Sequence, residues 1–171
     1  MFKRFRLRLK DIRTINQLIS GADEQAHIMG EEKPGAEHYL LSALKLPDAS
    51  ALRVFESIGT DPEKLKSAIK KQYTEALSSI GIDGSRIMEK EPEPITPNRV
   101  LHNSKPSAQA LMKDLYTLKK NDTHRPLLGA HVVNVVAHME HGVAARTLKA
   151  MGIEKAVILS AVKEELDSFR C

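Results

Sequence analysis

Residues 35–44 read GAEHYLLSAL, and a related stretch, GAHVVNVVA, stands at 129–137. Placing His38 on His131 gives an offset of 93 residues, which holds without a gap from 38 to 70, and seven of those 33 positions are identical. The identical residues of the first copy are His38, Ala51, Arg53, Gly59, Ser67, Ala68 and Lys70. Self-similarity at a fixed offset is the signature of a repeat, so we interpret the chain as one unit used twice.

Both units carry the spacing of amphipathic helices, with apolar residues returning every three or four positions between turn and cap residues. In the first unit Asp48 is expected to cap the third helix, and Thr60 or Asp61 the fourth. Alternation typical of a strand occurs only at 5–10 (FRLRLK), which either extends the first helix or lies against the surface. The sequence therefore predicts an all-α fold of two four-helix repeats, forming a pseudo-twofold eight-helix bundle. In the second unit, helices are expected at about 104–121, 129–139, 141–151 and 154–169.

Composition divides the chain into four segments, with the two repeats forming one domain. The segments are a basic N-terminal arm at 1–10, repeat 1 at 11–80, a linker at 81–103 and repeat 2 at 104–171. The linker holds two glycines, three prolines and few apolar side chains. We expect it to be mobile and accessible to protease, because it has little to bury.

Charge and hydropathy limit the classes of partner and the cellular compartment that we expect. The net charge is +4, and six basic residues within 1–13 face only Asp11 there. Such a cluster is compatible with a nucleic-acid arm, but no basic face extends over the domain. No run approaches the roughly 20 apolar residues of a membrane span, and no apolar stretch follows the charges as a signal peptide requires. With Cys171 the sole cysteine, we expect a cytoplasmic protein without a membrane partner.

The common catalytic motifs are missing from the sequence. Neither GxxxxGK[ST] nor GxGxxG occurs, so the chain lacks the phosphate-binding loops that these motifs form. His138 and His141 stand three apart in HMEH, which does not meet the HExxH or HxxEH spacing of zinc proteases. An enzyme with Glu37 and His38 as acid and base would lack a nucleophile, a metal set and a cofactor loop. We therefore expect no enzymatic activity, no cofactor and no metal.

Candidate site residues stand at the starts of the two central helices. His38 and His131 occupy equivalent positions, where a repeated residue serves either packing or a repeated site. Glu37 lies in the first turn of its helix, where the positive N-terminus favours a carboxylate. It either complements the helix dipole or binds a ligand, and its counterpart in the second unit is Ala130.

These motifs resemble the N-terminal double-repeat domain of Clp-type AAA+ unfoldases, most of all the ClpC branch. MFKRF at 1–5 is similar to the MFxRF start of that branch, and GAEHYLLSAL to its GTEHILLGL element. EHGVAARTLKAMGI at 140–153 is similar to its EGEGVAARVLxxLGV stretch. Lys105 and Pro106 stand where the family has Thr-Pro before the fifth helix.

The resemblance implies an eight-helix bundle that docks adaptors and substrates to the unfoldase. In ClpC-type members the glutamates of two TEH motifs contact phosphoarginine on tagged substrates, and here only Glu37 matches. The expected partners of the chain are a Clp ATPase, a ClpP-type protease, or adaptor and substrate proteins, some of them tagged with phosphoarginine. We also expect apolar contacts from Phe2 and Phe5 near the repeat interface. The full set of expected protein-binding residues is Glu37, His38, His131, Phe2, Phe5 and Lys105.

We interpret the chain as a non-catalytic protein-binding module that docks substrates or adaptors and regulates or feeds a Clp protease. Two alternatives stay open. The chain could be the N-terminal domain of a full Clp unfoldase, or a nucleic-acid-binding regulator that uses the arm at 1–10. A salt titration against DNA separates the latter, since phosphate contacts impose a steep salt dependence.

Overall fold

Eight α-helices follow one another in a computed structural model that describes residues 2–83 and 104–169, with side chains from Phe5 onward. The helices are α1 (Phe2–Ile28), α2 (Ala36–Leu44), α3 (Ser50–Ser57), α4 (Pro62–Ser79), α5 (Pro106–Asn121), α6 (Gly129–His138), α7 (Val143–Ala150) and α8 (Lys155–Ser168). No strand occurs within the described ranges. The prediction of an all-α bundle of two four-helix repeats is thus confirmed.

The first helix begins at Phe2, so the alternating residues 5–10 are helical and extend α1. A lone strand would leave its backbone N–H and C=O groups without partners, whereas a helix satisfies them internally. The segment that we treated as a basic arm therefore consists, from residue 2, of the first turns of α1.

The core is built around the two central helices. All nine residues of α2 and eight of the ten residues of α6 are buried. Helices α2 and α6, which are mostly apolar and almost fully buried, pack against each other between the remaining helices. Only glycine fits where α6 begins, because a Cβ at Gly129 would lie 2.9 Å from the Cβ of Ala51 and 3.0 Å from the carbonyl oxygen of Ala43.

The two repeats interleave through their third and fourth helices. Helix α3 packs on α8 and α4 packs on α7, and these two pairs are equivalent under the pseudo-twofold. Across the first pair, Arg53 donates a hydrogen bond of 2.8 Å from Nε to Glu165 Oε1. Buried residues from both repeats form one continuous hydrophobic cluster, so the repeats share a single core.

Two predicted caps have different outcomes. Of the two caps considered for α4, Thr60 and Asp61, the N-cap is Asp61, whose Oδ1 accepts the Lys64 N–H at 2.8 Å. The prediction of Asp48 as N-cap of α3 is wrong by one residue, since the N-cap is Ala49 in the left-handed region (φ 53°). Asp48 Oδ1 still accepts the Ser50 N–H at 2.9 Å, while the same carboxylate also contacts the start of α6. The predicted linker lies outside the described residues from position 84 onward, and its mobility stays a prediction.

Candidate functional site

The two equivalent histidines are helix caps. The Gly35 N–H donates to His38 Nδ1 at 2.9 Å, and the Leu128 N–H donates to His131 Nδ1 at 3.0 Å. Both rings are fully buried. Each histidine therefore satisfies a backbone donor that the start of its helix would otherwise leave without an acceptor.

Burial keeps both imidazoles neutral. Burial lowers the pKa of His38 to about 4, and the nearby positive charge of Lys105 contributes to this shift. Burial also lowers the pKa of His131, although the carboxylate of Asp122, 3.4 Å from its Nε2, acts in the opposite direction. A neutral imidazole whose Nδ1 accepts a backbone hydrogen bond is suited to capping, and these roles leave neither ring placed as a general base.

Glu37, in the first turn of α2, is buried. Its side chain is 1% exposed and turns back over Gly35. A Cβ at position 35 would lie 2.7 Å from Glu37 Oε2, so glycine provides the room for the carboxylate. The structure brings Glu37, His38 and Lys105 together in one cluster, and adds two residues that the sequence did not single out, Tyr73 and Glu31.

Tyr73 and Lys105 cover the carboxylate. The Tyr73 hydroxyl donates to Glu37 Oε1, and burial together with the charge of Glu37 raises the pKa of Tyr73, which keeps it protonated. Lys105 Nζ lies 3.9 Å from Glu37 Oε1 and donates to Glu31 Oε2 at 2.6 Å and to the Tyr73 oxygen at 3.1 Å. With its side chain 30% exposed, Lys105 separates the buried Glu37 from solvent. We call these four residues, with His38, the α2 cluster.

The start of α6 is closed by residues of the first repeat. The Gly129 N–H donates to Asp48 Oδ1 at 3.2 Å, and the Ala130 N–H donates to Ser50 Oγ at 2.8 Å. The preceding Leu127 N–H donates to Asp11 Oδ1 at 2.6 Å. With His131 accepting from Leu128, four consecutive N–H groups already have acceptors. The second unit thus offers neither a carboxylate at Ala130 nor a free set of backbone donors for an anion.

The two phenylalanines lie apart from the α2 cluster. Phe5 is 62% exposed near the beginning of α1, whereas the end of that helix leads towards Glu37. At 1.5 Å per residue, roughly 35 Å of helix separates Phe5 from Ile28. Phe2 lies in the first turn of α1, and its side chain is outside the described residues. The expected apolar contacts of Phe2 and Phe5 with a partner stay a prediction.

Sequence reasoning missed Tyr73 and Asp48 as site residues. Tyr73 is 36 residues from Glu37 in the sequence. Asp48 is 81 residues from Gly129, and its place before α3 indicated a local cap only. No local signal pairs such distant residues. Ser50 likewise meets Ala130 across 80 residues of chain.

The described part of the chain contains no group of three or more His, Cys, Asp or Glu side chains arranged to hold a metal ion. His138, one of the two histidines weighed as ligands, has its Nδ1 2.9 Å from the Asn134 carbonyl oxygen. Across residues 2–83 and 104–169, each helix is too short or too polar to span a bilayer.

Comparison with known proteins adds a partial similarity. No protein-family model matches the chain. The chloroplastic chaperone proteins ClpC1 and ClpC2 of Oryza sativa subsp. japonica are each 33% identical to it over 58 residues. This match covers 34% of the chain and 6% of each relative. Together with the helical fold, it is consistent with a Clp N-terminal-like domain and a Clp-related role.

Proposed function

We propose that the chain is a non-catalytic protein-binding module that docks substrate or adaptor proteins and so regulates or feeds a Clp ATP-dependent protease. The carrying observation is the two-repeat helical fold in a chain similar to ClpC chaperones over 58 residues. The chemistry of the α2 cluster supports recognition and not turnover, because the histidine at its centre is a neutral, buried cap.

The α2 cluster is the proposed docking site for a cationic group. Glu37 already lies beside an internal cation, since Lys105 Nζ is 3.9 Å from its Oε1. A guanidinium group could take this place if Lys105 moved outwards, and its fork of donors matches a carboxylate bidentately. In phosphoarginine the guanidinium carries a phosphate, and the displaced Lys105 ammonium would be available to that phosphate. We therefore infer that phosphoarginine competes with Lys105 for Glu37.

Binding should be confined to the first unit. The start of α6 lacks a carboxylate at Ala130, and Asp48 and Ser50 already accept its backbone donors. A phosphate would face the carboxylate of Asp48 there, and that carboxylate already accepts hydrogen bonds from the Ser50 and Gly129 N–H groups. The duplicated fold thus provides one proposed ligand site.

The docking function is tested with a reconstituted Clp ATPase and ClpP-type protease from the same organism. Degradation of a fluorescent substrate is followed with ATP while the purified chain is titrated in. We expect the rate to change and then to saturate, with the chain co-sedimenting with the ATPase or the protease. An unchanged rate without co-sedimentation would overturn the proposal. The chain alone, with ATP, is the control for intrinsic hydrolysis.

The site is tested by calorimetry with a phosphoarginine-containing peptide. Glu37→Gln should weaken binding by about tenfold or more, since hydrogen bonds to charged groups are worth about 1.5–3 kcal/mol. Lys105→Met should also change the affinity, whereas Lys120→Met at an exposed position of α5 is the matched control. Equal binding by the parent chain and Glu37→Gln would exclude Glu37 from ligand recognition.

A further inference from the structure

A second apolar face runs along α1 on the side turned away from the core. Phe5, Leu9 and Ile12 are 62%, 51% and 56% exposed, and Asn16 follows them at an exposed position. Their alternating spacing of four and three residues is that of the a and d positions in a coiled-coil heptad. The buried face of the same helix, with Leu18 among its residues, is a separate surface. We call the four exposed residues the α1 seam.

The α1 seam is bordered by cations. Arg6 and Arg13 fall at e positions of the same heptad and Arg8 at a g position, and all three are exposed. The acidic residue in this stretch, Asp11, faces the body of the protein, where its Oδ1 accepts the Leu127 N–H at 2.6 Å. Its Oδ2 also lies 3.5 Å from Lys119 Nζ. The exposed face therefore combines an apolar seam with positive borders.

We propose that the α1 seam pairs with an acidic amphipathic helix of a partner protein. The partner helix carries apolar residues at its own a and d positions and Asp or Glu at e and g, because charges at these positions select the partner. A second copy of this chain is a poor match, since arginines would then face arginines. A seam of one apolar residue per turn is narrow, whereas helices that lie on membranes present a broad apolar face.

The shape of α1 supports pairing with a helix. A shallow groove of about 380 Å³ follows the seam and is lined by Leu9, Ile12, Arg13, Asn16, Gln17 and Ser20. Such a groove can accept the side-chain knobs of a facing helix. Asn16, polar at an a position, would set the register of the pair at some cost in affinity. This inference goes beyond the proposed function and does not involve the α2 cluster.

The test uses the full chain and two fluorescent synthetic peptides, each about three heptads long. Both carry Leu at a and d with one Asn at an a position; one has Glu at e and g, the other Lys. Fluorescence anisotropy should show the Glu peptide binding about tenfold tighter or more, with the preference falling as salt rises. Equal affinities for the two peptides, or binding of neither, would overturn the proposal.

Variants assign the binding to the seam. The double substitution Leu9→Ala and Ile12→Ala should weaken binding of the Glu peptide by about tenfold or more, because these anchors are lost. Arg6→Glu with Arg13→Glu should shift the preference towards the Lys peptide. Lys10→Glu, exposed on α1 but at a b position, is the matched control and should change binding least. Unaltered binding by the Leu9 and Ile12 double variant would contradict the proposal.

Three further measurements exclude other occupants. Anionic phosphatidylglycerol vesicles, duplex DNA and the chain itself at high concentration are each tested with the parent and the Leu9 and Ile12 double variant. If one of them binds in a manner that depends on the seam and the Glu peptide does not, the seam belongs to that occupant and the proposal fails. No Clp component enters these experiments, so their failure leaves the proposed docking function standing.

Discussion

The start of α2 and the start of α6 are the same place in two copies of one unit. They share the histidine cap and a first-turn N–H that donates to a serine hydroxyl of the other repeat, Ser107 for α2 and Ser50 for α6. In the first copy Glu37 lies over its own helix start and is covered by Tyr73 and Lys105. In the second copy the backbone donors are taken by Asp48 and Ser50 from the other repeat. The comparison teaches that a duplicated helix start can retain its capping geometry while its surroundings diverge into a carboxylate site and a closed contact.

The room beside each cap explains the divergence. Gly35 leaves space into which the Glu37 carboxylate turns back. Its counterpart at the offset of 93 is Leu128, which is buried, and the counterpart of Glu37 is Ala130. Glycine and glutamate thus occur together in the first repeat, where the second repeat has leucine and alanine at the equivalent positions. The four predictions below test this difference, from the largest expected effect to the smallest.

Introducing a glutamate into the second unit should be the most damaging change. Ala130 is fully buried, a buried leucine, Leu128, stands where the first unit has Gly35, and Asp48 would repel a second carboxylate. Ala130→Glu should therefore lower the free energy of unfolding by about 3–5 kcal/mol, as expected for an uncompensated buried charge. Urea denaturation measures the loss. A variant as stable as the parent would show that the second site has room and a cation for a carboxylate.

Acidification should destabilise the folded chain through His38. Its pKa is about 4 in the folded chain and 6.5 when unperturbed, so the unfolded chain takes up the proton first. The stabilisation from the neutral ring is complete above pH 6.5 and is lost as the pH falls towards 4, by about 3 kcal/mol at most. His131 acts in the same direction, but Asp122 opposes its shift.

Glutamine substitutions isolate this pH dependence. His38→Gln keeps a side-chain acceptor for the Gly35 N–H and removes the titrating group. Denaturation curves at pH 7 and pH 4.5 give the decrease in the free energy of unfolding on acidification. This decrease should be smaller for His38→Gln than for the parent. His131→Gln should also reduce it, but by less than His38→Gln does. Identical pH dependence in the parent and His38→Gln would refute the assignment to His38.

Filling the space at Gly35 should cost less. Its backbone (φ −108°, ψ −179°) suits any residue, so Gly35→Ala acts through the Cβ that would lie 2.7 Å from Glu37 Oε2. We expect a loss of about 1–3 kcal/mol in stability, as for overpacking in a core. The loss should shrink in the Glu37→Ala background, and a double-mutant cycle measures this coupling. Additive effects would mean that Gly35 does not serve the carboxylate.

Removing the tyrosine hydroxyl should have the smallest effect of the four. Tyr73→Phe deprives Glu37 Oε1 of its hydroxyl donor, while Lys105 stays close enough to compensate in part. We expect a loss of about 1 kcal/mol, near the net worth of one hydrogen bond. Tyr116→Phe, at a residue that is 73% exposed, is the matched control and should stay within about 0.5 kcal/mol of the parent. Equal thermal shifts for the two variants would count against the proposed role of the hydroxyl.

The sequence by itself determined the fold class, the order of the helices and the place of the candidate site. Helical periodicity and a gapless repeat are local signals, and they located the starts of α2 and α6 together with His38 and His131. The similar role of the two histidines follows from the repeat. Each is the third residue of a buried helix, and its Nδ1 accepts the N–H of the residue that precedes that helix.

Only the tertiary structure decided what surrounds those positions. A residue pattern records which face of a helix is apolar, but it does not record which distant side chain will meet a given atom. Tyr73 and Asp48 reach their partners across 36 and 81 residues of chain. The buried Glu37 likewise has Lys105 of the second repeat beside it, with Nζ 3.9 Å from Oε1. These contacts arise because the repeats share one core, which brings residues of one repeat onto the helix starts of the other.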